Sequence, residues 1–200
     1  RRQRWRGVRV GLFPRYADWG WDHAEYSRRP GSNESRFQRE RRGAKERKKE
    51  IWRLVARRRR GAINLDAHGP IAITADCDVL NADGGTRCAS ITAANIALRL
   101  CIRRLIAAGR CLPANKRLKH DQIKAGVKAP TLSAAEAKAH ENAVLPHDLA
   151  AISVGLIDGG VYTDLDYILD SNADVDMNVV MTADGKFVEV QGTGEEFTYT

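Results

Sequence analysis

The chain of 200 residues is 43% hydrophobic, which is enough apolar material for a packed core and argues against wholesale disorder. No stretch reaches the roughly 18 unbroken apolar residues that a membrane-spanning helix needs, because the most apolar one, 91–108, contains three arginines. The net charge is +8, but residues 1–60 hold 21 Lys and Arg against 7 Asp and Glu, whereas the remainder is net acidic. This asymmetry favours a protein that binds a polyanion and coordinates a cation, with a solvated basic surface as the alternative.

Residues 1–44 combine arginines with aromatic residues and show no clean periodicity. Beyond them, apolar residues at helical spacing predict a helix with basic outer faces that ends near Gly61. Alternating apolar and polar residues predict a strand over 71–80. The helical spacing of apolar residues over 91–105 predicts a second helix, which Gly109 ends.

Residues 110–147 are polar and Lys-rich, and they predict a connecting insertion with a short helix around 132–140. The last quarter predicts strands joined by two glycine-containing turns. These strands are 150–157, 161–168, 176–181 and 186–191, with turns at 158–160 and 183–185. The elements together predict an α+β fold, in which helices pack on a mixed β-sheet and one helix directly follows a strand in a β-α-β core.

The cysteines and histidines predict neither a zinc site nor a catalytic dyad. The four cysteines form no C-x-x-C pair, and we expect reduced, mostly buried thiols. They are Cys77, Cys88, Cys101 and Cys111. The candidate histidines are scattered and are predicted to lie in loops without paired carboxylates. They are His68, His120, His140 and His147.

The joint between the predicted strand and the second helix has the chemistry of an anion site. Its sequence, Asp83-Gly84-Gly85-Thr86-Arg87, places two glycines before a helix N-terminus, where free N–H groups carry partial positive charge. Thr86 adds a hydroxyl group, and Arg87 can bind two phosphate oxygens. Phosphate or a phosphodiester is the predicted ligand, and a purely topological role of the glycines is the equal alternative.

A cluster of acidic residues near the C-terminal end predicts a site for a hard divalent cation. Its members are Asp164, Asp166, Asp170, Asp174 and Asp176. Asp174 and Asp176 stand two residues apart, so on a strand they share a face, to which Asp170 adds a third carboxylate. Mg²⁺ bound there would offset charge on a transferring phosphoryl group. The alternative is a solvated acidic loop.

Two long segments resemble the ribonuclease PH family. The first is the run from Asp76 through the glycine loop to Thr92, and the second runs from Asp170 to Met181 and continues as Phe187-Val188-Glu189-Val190-Gln191-Gly192-Thr193. The similarity covers roughly 45–109 and 145–193, with a fainter stretch at 21–40. Such long matches in the same order are highly specific.

The resemblance implies a phosphate-dependent 3′-to-5′ exoribonuclease that trims tRNA precursors and releases nucleoside diphosphates, with a role in tRNA and rRNA processing. It implies the fold shared with polynucleotide phosphorylase and the exosome ring, and assembly as a hexameric ring of dimers. Mg²⁺ is the implied cofactor and inorganic phosphate the co-substrate. RNA, chiefly the 3′ end of tRNA, is the implied partner, and no membrane is involved.

Roles carry over to matching positions of this sequence. The residues that resemble the family's phosphate site are Arg47, Gly85, Thr86 and Arg87. The resemblance implies that Asp170 and Asp176 hold the metal, that Asp176 and Arg87 are catalytic, and that Arg36 and Arg39 contact RNA. Cys88 departs from the family, which more usually has a hydroxyl residue there.

We expect a divergent basic segment over 1–44, a ribonuclease PH-like core over 45–193 that includes the insertion 110–147, and a tail over 194–200. The chain does not begin with Met and lacks the apolar core of a secretory signal. We expect a cytoplasmic protein, with an organellar one as the alternative, and a fold that is incomplete at both ends. Two other functions stay open: a non-catalytic RNA-binding subunit of an exosome-like ring, and a basic RNA-associated structural protein.

Overall fold

The computed structural model describes residues 8–11, 21–28 and 63–194. The helix predicted before Gly61 lies outside these residues. The described residues form seven strands and five α-helices. The strands are β1 (Val8–Gly11), β2 (Trp21–Arg28), β3 (Ala72–Val79), β4 (Leu149–Ile157), β5 (Gly160–Thr163), β6 (Val175–Thr182) and β7 (Phe187–Gly194). The helices are α1 (Leu65–His68), α2 (Thr86–Ala107), α3 (His120–Lys124), α4 (Ala134–Val144) and α5 (Tyr167–Ser171), with a 3₁₀ turn at Ala114–Lys116.

The strands belong to two sheets. In the first sheet, β3 lies in the centre, antiparallel to β1 and parallel to β2. The second sheet has the order β5-β4-β6-β7, and every neighbouring pair is antiparallel. The predicted α+β class is therefore confirmed, and the described strands divide between a mixed sheet and an antiparallel one.

Helix α2 lies between the two sheets and joins their cores. Its buried face has the predicted 3.6-residue spacing, and one apolar cluster contains residues from β3, α2, β4 and β6. These residues are Ala75, Cys77, Val79, Ile91, Ala94, Leu149 and Val180. The second helix predicted from the sequence is confirmed, with Gly109 just beyond its end at a φ of +67°. The position of α2 brings its N-terminus, and the glycine loop before it, against the second sheet.

The insertion 110–147 contributes to the core through α4, whose Val144 is fully buried beside Leu98 and Ile102 of α2. Glu141 is only 4% exposed, and its carboxylate accepts hydrogen bonds from Arg99 and Arg103 of α2 at 2.7 and 2.8 Å. Hydrogen bonding from Arg103 outweighs burial, and with Arg99 it lowers the pKa of Glu141 to about 2. This ion-pair network fastens α4 to the second half of α2.

The predicted strand 161–168 is wrong beyond Thr163. Asp164 has a φ of +59°, a left-handed conformation that ends the extended backbone. The side chain of Asp166 then accepts a hydrogen bond from the Leu169 N–H at 2.9 Å and so caps α5, which contains Ile168. The predicted turn at 158–160 is confirmed, with positive φ at both Asp158 and Gly159.

The predicted placement of the histidines in loops is wrong for three of them, because His68 lies in α1, His120 is the first residue of α3 and His140 lies in α4. His68 and His140 are buried, and Nε2 of His140 is 3.8 Å from Sγ of Cys111. The four cysteines are buried and form no disulfide, as predicted. Among the described residues, no helix combines the length and apolar character needed to cross a membrane.

Candidate phosphate-binding turn and facing carboxylates

The N-terminus of α2 is open for an anion. Gly85 is its N-cap residue, no side chain caps the helix, and the first turn contains no acidic residue. No side-chain cap covers the first turn of this 22-residue helix, whose N–H groups carry partial positive charge. Arg87 is partly exposed and makes no hydrogen bond or ion pair with any residue that the structure describes. Helix N–H groups beside such an arginine suit a phosphate group.

The two glycines of the loop are required by packing within the protein. A Cβ at Gly84 would collide with the carbonyl oxygen of Leu165 and would lie 2.6 Å from the carbonyl carbon of Asp166. Gly85 has a φ of +65°, and a Cβ there would lie 2.8 Å from Oγ of Ser153. Close packing on Leu165 and Asp166 therefore accounts for Gly84, and the left-handed backbone beside Ser153 accounts for Gly85. The part of both glycines in binding phosphate stays a prediction.

Asp83 ties the glycine loop to α5. Its Oδ1 accepts hydrogen bonds from the N–H of Gly84 at 3.1 Å and from the N–H of Tyr167 at 2.8 Å. Tyr167 is the first residue of the helix that contains Asp170. One carboxylate therefore connects the loop predicted to bind phosphate with the element that carries a predicted metal ligand.

Cys88 ties the first turn of α2 to β6. Its Sγ donates a hydrogen bond to Oδ1 of Asn178 at 3.0 Å. Burial raises the pKa of the Cys88 thiol to about 12, against the opposing effect of Arg87 and with smaller contributions from Asp164 and Asp170. The thiol is therefore protonated at neutral pH and able to donate.

Asp176 lies on the side of β6 that faces the first turn of α2. It stands two residues from Asn178, so both side chains project from the same face of the strand. Across the sheet, Asn178 pairs with Ser153 and Asp176 pairs with Gly155 of β4. Oγ of Ser153 lies beside Gly85 and accepts a hydrogen bond from the Leu165 N–H at 3.0 Å. This face of the sheet therefore packs directly against the glycine loop.

The members of the acidic cluster lie in different places, and two of them make contacts that fix the local backbone. Asp166 caps α5, and Asp174, which precedes β6, accepts a hydrogen bond from the Asp158 N–H at 3.3 Å. Asp174 is therefore engaged at the β4–β5 turn and does not share the strand face of Asp176. Over the part of the chain that the structure describes, no three His, Cys, Asp or Glu side chains are arranged to hold a metal ion. The predicted pair remains: Asp170 is exposed and Asp176 is half-buried.

The donor chemistry of this pair fits Mg²⁺. The two carboxylates supply hard oxygen ligands, and Mg²⁺ typically uses one or two carboxylates, keeps several waters and takes further ligands from substrate phosphates. A third oxygen lies nearby, that of Gln191 on β7. Gln191 is the cross-strand partner of Asn178 on β6, so the two side chains project from the same face of the sheet. Oε1 of Gln191 is buried and accepts no hydrogen bond from any described residue.

Three predicted residues, Arg36, Arg39 and Arg47, lie outside the described residues, and their roles stay predictions. Sequence reasoning missed the contacts that hold the site together, made by Asp83, Asn178 and Ser153. Asn178 is a single polar residue in an apolar run, which was the available signal for it. Asp83 and Ser153 gave none, because their partners are distant along the chain.

Two family models match the chain. They are described as 3′ exoribonuclease family, domain 1, over residues 12–102, and 3′ exoribonuclease family, domain 2, over residues 149–200. The predicted boundaries at residues 44 and 193 stay predictions.

Two curated relatives are similar over most of this chain. Ribonuclease PH of Rhodopirellula baltica is 47% identical over 181 residues, which are 90% of this chain and 64% of that protein. Ribonuclease PH of Corynebacterium kroppenstedtii is 46% identical over 194 residues, which are 96% of this chain and 65% of that protein. The chain thus spans slightly less than two thirds of the length of these relatives.

Solved structures share the fold. Rrp46 of rice (Oryza sativa) superposes with a TM-score of 0.55 at 11% identity, covering 94% of this chain and 68% of the rice chain. A chain of the Archaeoglobus fulgidus exosome, solved with RNA bound to the active site, superposes with a TM-score of 0.60 at 19% identity, covering 96% and 68%. At these identities the likeness concerns the fold alone, and it confirms the predicted architecture.

Proposed function

Because the chain belongs to the 3′ exoribonuclease family, that of ribonuclease PH, we propose that it shortens RNA from the 3′ end by phosphorolysis. Each terminal nucleotide is transferred to inorganic phosphate and leaves as a nucleoside diphosphate. The observation that carries this proposal is the uncapped N-terminus of α2, with Arg87, facing Asp176 on β6. An anion-binding turn opposite a carboxylate is the arrangement that phosphoryl transfer to phosphate requires.

In this proposal the turn binds and orients the attacking phosphate. The N–H groups of the first turn of α2, the Thr86 hydroxyl and the Arg87 guanidinium hold its oxygens, and Arg47 adds a second positive charge. One phosphate oxygen is aligned with the terminal phosphodiester, so that its attack is in line with the departing 3′-oxygen. The new bond joins this oxygen to phosphorus as the bond from phosphorus to the 3′-oxygen breaks.

The carboxylates serve the leaving side of the reaction. Asp176 transfers the proton that the attacking phosphate loses to the 3′-oxygen of the shortened RNA. Asp170 and Asp176 together would hold Mg²⁺, which supplies charge neutralisation for the transferring phosphoryl group. Arg36, Arg39 and the other basic residues of 1–60 would contact the RNA backbone, which is a charge-driven and salt-sensitive interaction. The proposed substrate is the 3′ end of tRNA precursors, and the proposed assembly is a hexameric ring.

The test is incubation of the chain with a 3′-extended tRNA and Mg²⁺, with and without inorganic phosphate. Nucleoside diphosphates that form only with phosphate support the proposal, and Asp176→Asn should abolish most of the product. Asp184→Asn is the matched control, because Asp184 is a carboxylate of the β6–β7 turn that pairs with Lys186 at 2.8 Å.

Two other outcomes contradict the proposal. Nucleoside monophosphates formed without phosphate would identify a hydrolase. RNA binding without any product would identify a non-catalytic RNA-binding subunit.

A further inference from the structure

Two hydrogen bonds connect the ends of the glycine loop with α5, which contains Asp170, and with β6, which contains Asp176. Asp83, at the start of the loop, binds the first N–H of α5 at 2.8 Å. Cys88, just after the loop, donates to Asn178 of β6 at 3.0 Å. We propose that these two contacts set the positions of Asp170 and Asp176 relative to the phosphate-binding turn, so that Asp83 and Cys88 are positioning residues of the reaction. This inference rests on the function proposed above.

The contact of Asp83 matters because α5 is short and its first residues are largely exposed. The helix is five residues long, and Tyr167 and Ile168 are 70% and 68% exposed. Leu165, two residues before the helix, is buried. The hydrogen bond from the Tyr167 N–H to Asp83 then holds the first turn of α5 against the glycine loop. Asp170 lies three residues further along the same short helix, so a shift of Tyr167 also shifts the backbone that carries Asp170.

The contact of Cys88 acts on the other carboxylate. Cys88 is 3% exposed, and its partner Asn178 is two residues from Asp176 on the same face of β6. A protonated thiol supplies the donor without adding a charge between Arg87 and the carboxylates. A serine hydroxyl offers the same donor, which makes Cys88→Ser the conservative variant and Cys88→Ala the variant that removes the contact.

The first experiment measures metal binding by the whole chain, with Mn²⁺ as the probe and electron paramagnetic resonance as the readout. Loss of residues that orient metal ligands typically costs roughly 10- to 100-fold in metal affinity. Cys88→Ala and Asp83→Ala should weaken Mn²⁺ binding by about this factor. Cys88→Ser and Asp83→Asn, which keep a donor and an acceptor oxygen respectively, should restore it. An Asn178→Ala variant removes the Cys88 contact from its acceptor side, and the double variant with Cys88→Ala should lose no more than either single one.

The second experiment is steady-state phosphorolysis with phosphate as the varied substrate. Cys88→Ala should lower kcat by roughly 10- to 100-fold, the cost of a misplaced group, while the KM for phosphate changes far less. A merely structural role would instead lower the melting temperature and leave both constants of the folded protein unchanged.

The outcomes separate the two proposals. Weakened Mn²⁺ binding in the alanine variants, with no phosphorolysis by the wild-type chain, would refute the proposed function and keep the positioning role. Phosphorolysis by the wild-type chain, with alanine variants that keep its kcat and its Mn²⁺ affinity, would refute the positioning role alone. A wild-type chain that binds no Mn²⁺, or serine and asparagine variants as impaired as the alanine ones, would also overturn the positioning role.

Discussion

The two halves of α2 use charge in opposite ways. In the second half, Arg99 and Arg103 donate to one buried carboxylate, that of Glu141, so these charges are satisfied within the protein. In the first turn, Arg87 makes no ion pair with any described residue, and Cys88 makes a neutral hydrogen bond to Asn178. The difference indicates that the second half stabilises the fold, whereas the first turn keeps its positive charge available for a ligand.

The largest expected effect comes from removing the available charge. Arg87→Ala should lower kcat/KM for phosphorolysis by about 10²- to 10³-fold, the usual cost of losing one donor that stabilises developing charge. The melting temperature should stay close to that of the wild type, because no described residue pairs with Arg87. Initial-rate assays and thermal unfolding followed by circular dichroism measure both effects.

Arg110→Ala is the matched control for Arg87→Ala. Arg110 is an exposed arginine just beyond the other end of α2, and its loss should leave the rate unchanged. Equal losses of activity in the two variants would contradict the assignment of Arg87 to the site.

Removing the buried carboxylate of Glu141 should have the opposite effect, a loss of stability without a loss of activity. Glu141→Gln removes the counter-charge of Arg103 and leaves Arg99 only its exposed partner Asp148, and it should cost roughly 2–4 kcal/mol in the free energy of unfolding. Below the melting temperature the rate of phosphorolysis should stay near that of the wild type. Urea unfolding monitored by circular dichroism gives the free energy, and a variant as stable as the wild type would show that the buried ion pair contributes nothing.

The same carboxylate predicts a pH dependence. Hydrogen bonding from Arg103 and Arg99 lowers the pKa of Glu141 from 4.5 to about 2, so the group contributes its stability fully above pH 4.5. That contribution should disappear as the pH falls from about 4.5 to about 2. Urea unfolding of the wild type and Glu141→Gln across this window measures it. The difference in the free energy of unfolding should shrink towards the acid end, and a difference that stays constant would contradict the shifted pKa.

The smallest expected effects come from two glycine substitutions, one that causes a steric collision and one that strains only the backbone conformation. The methyl group of Gly84→Ala would collide with the backbone of Leu165 and Asp166, and overpacking of this kind costs roughly 1–3 kcal/mol. Gly159→Ala meets nothing within 4 Å, and its φ of +77° alone should cost about 1 kcal/mol. Both free energies come from urea unfolding. Only Gly84→Ala should also lower the activity, because it pushes α5 away from the glycine loop.

Much of the candidate site was predictable because its parts are local in sequence. The strand before the loop shows an alternating pattern, α2 shows apolar residues at helical spacing, and the paired glycines mark the turn between them. Helix α5 was missed because Val161, Leu165 and Tyr167 stand at alternating positions, which fit one continuous strand as well. The left-handed backbone at Asp164 and the cap formed by Asp166 decide against a strand there. The contributions of Arg36, Arg39 and Arg47 stay predictions.

The sequence by itself determined β3, α2 and the glycine turn between them, whereas the roles of Arg87, Asp170 and Asp176 stay predictions. These elements depend on backbone preferences and side-chain chemistry within about ten residues, which a single sequence displays. Only the tertiary structure decided that Asp83 holds Tyr167, 84 residues away, and that Cys88 holds Asn178, 90 residues away. Such contacts depend on the order of the strands and on the position of α2 between the two sheets. Packing of the whole chain sets both, and no local pattern encodes them.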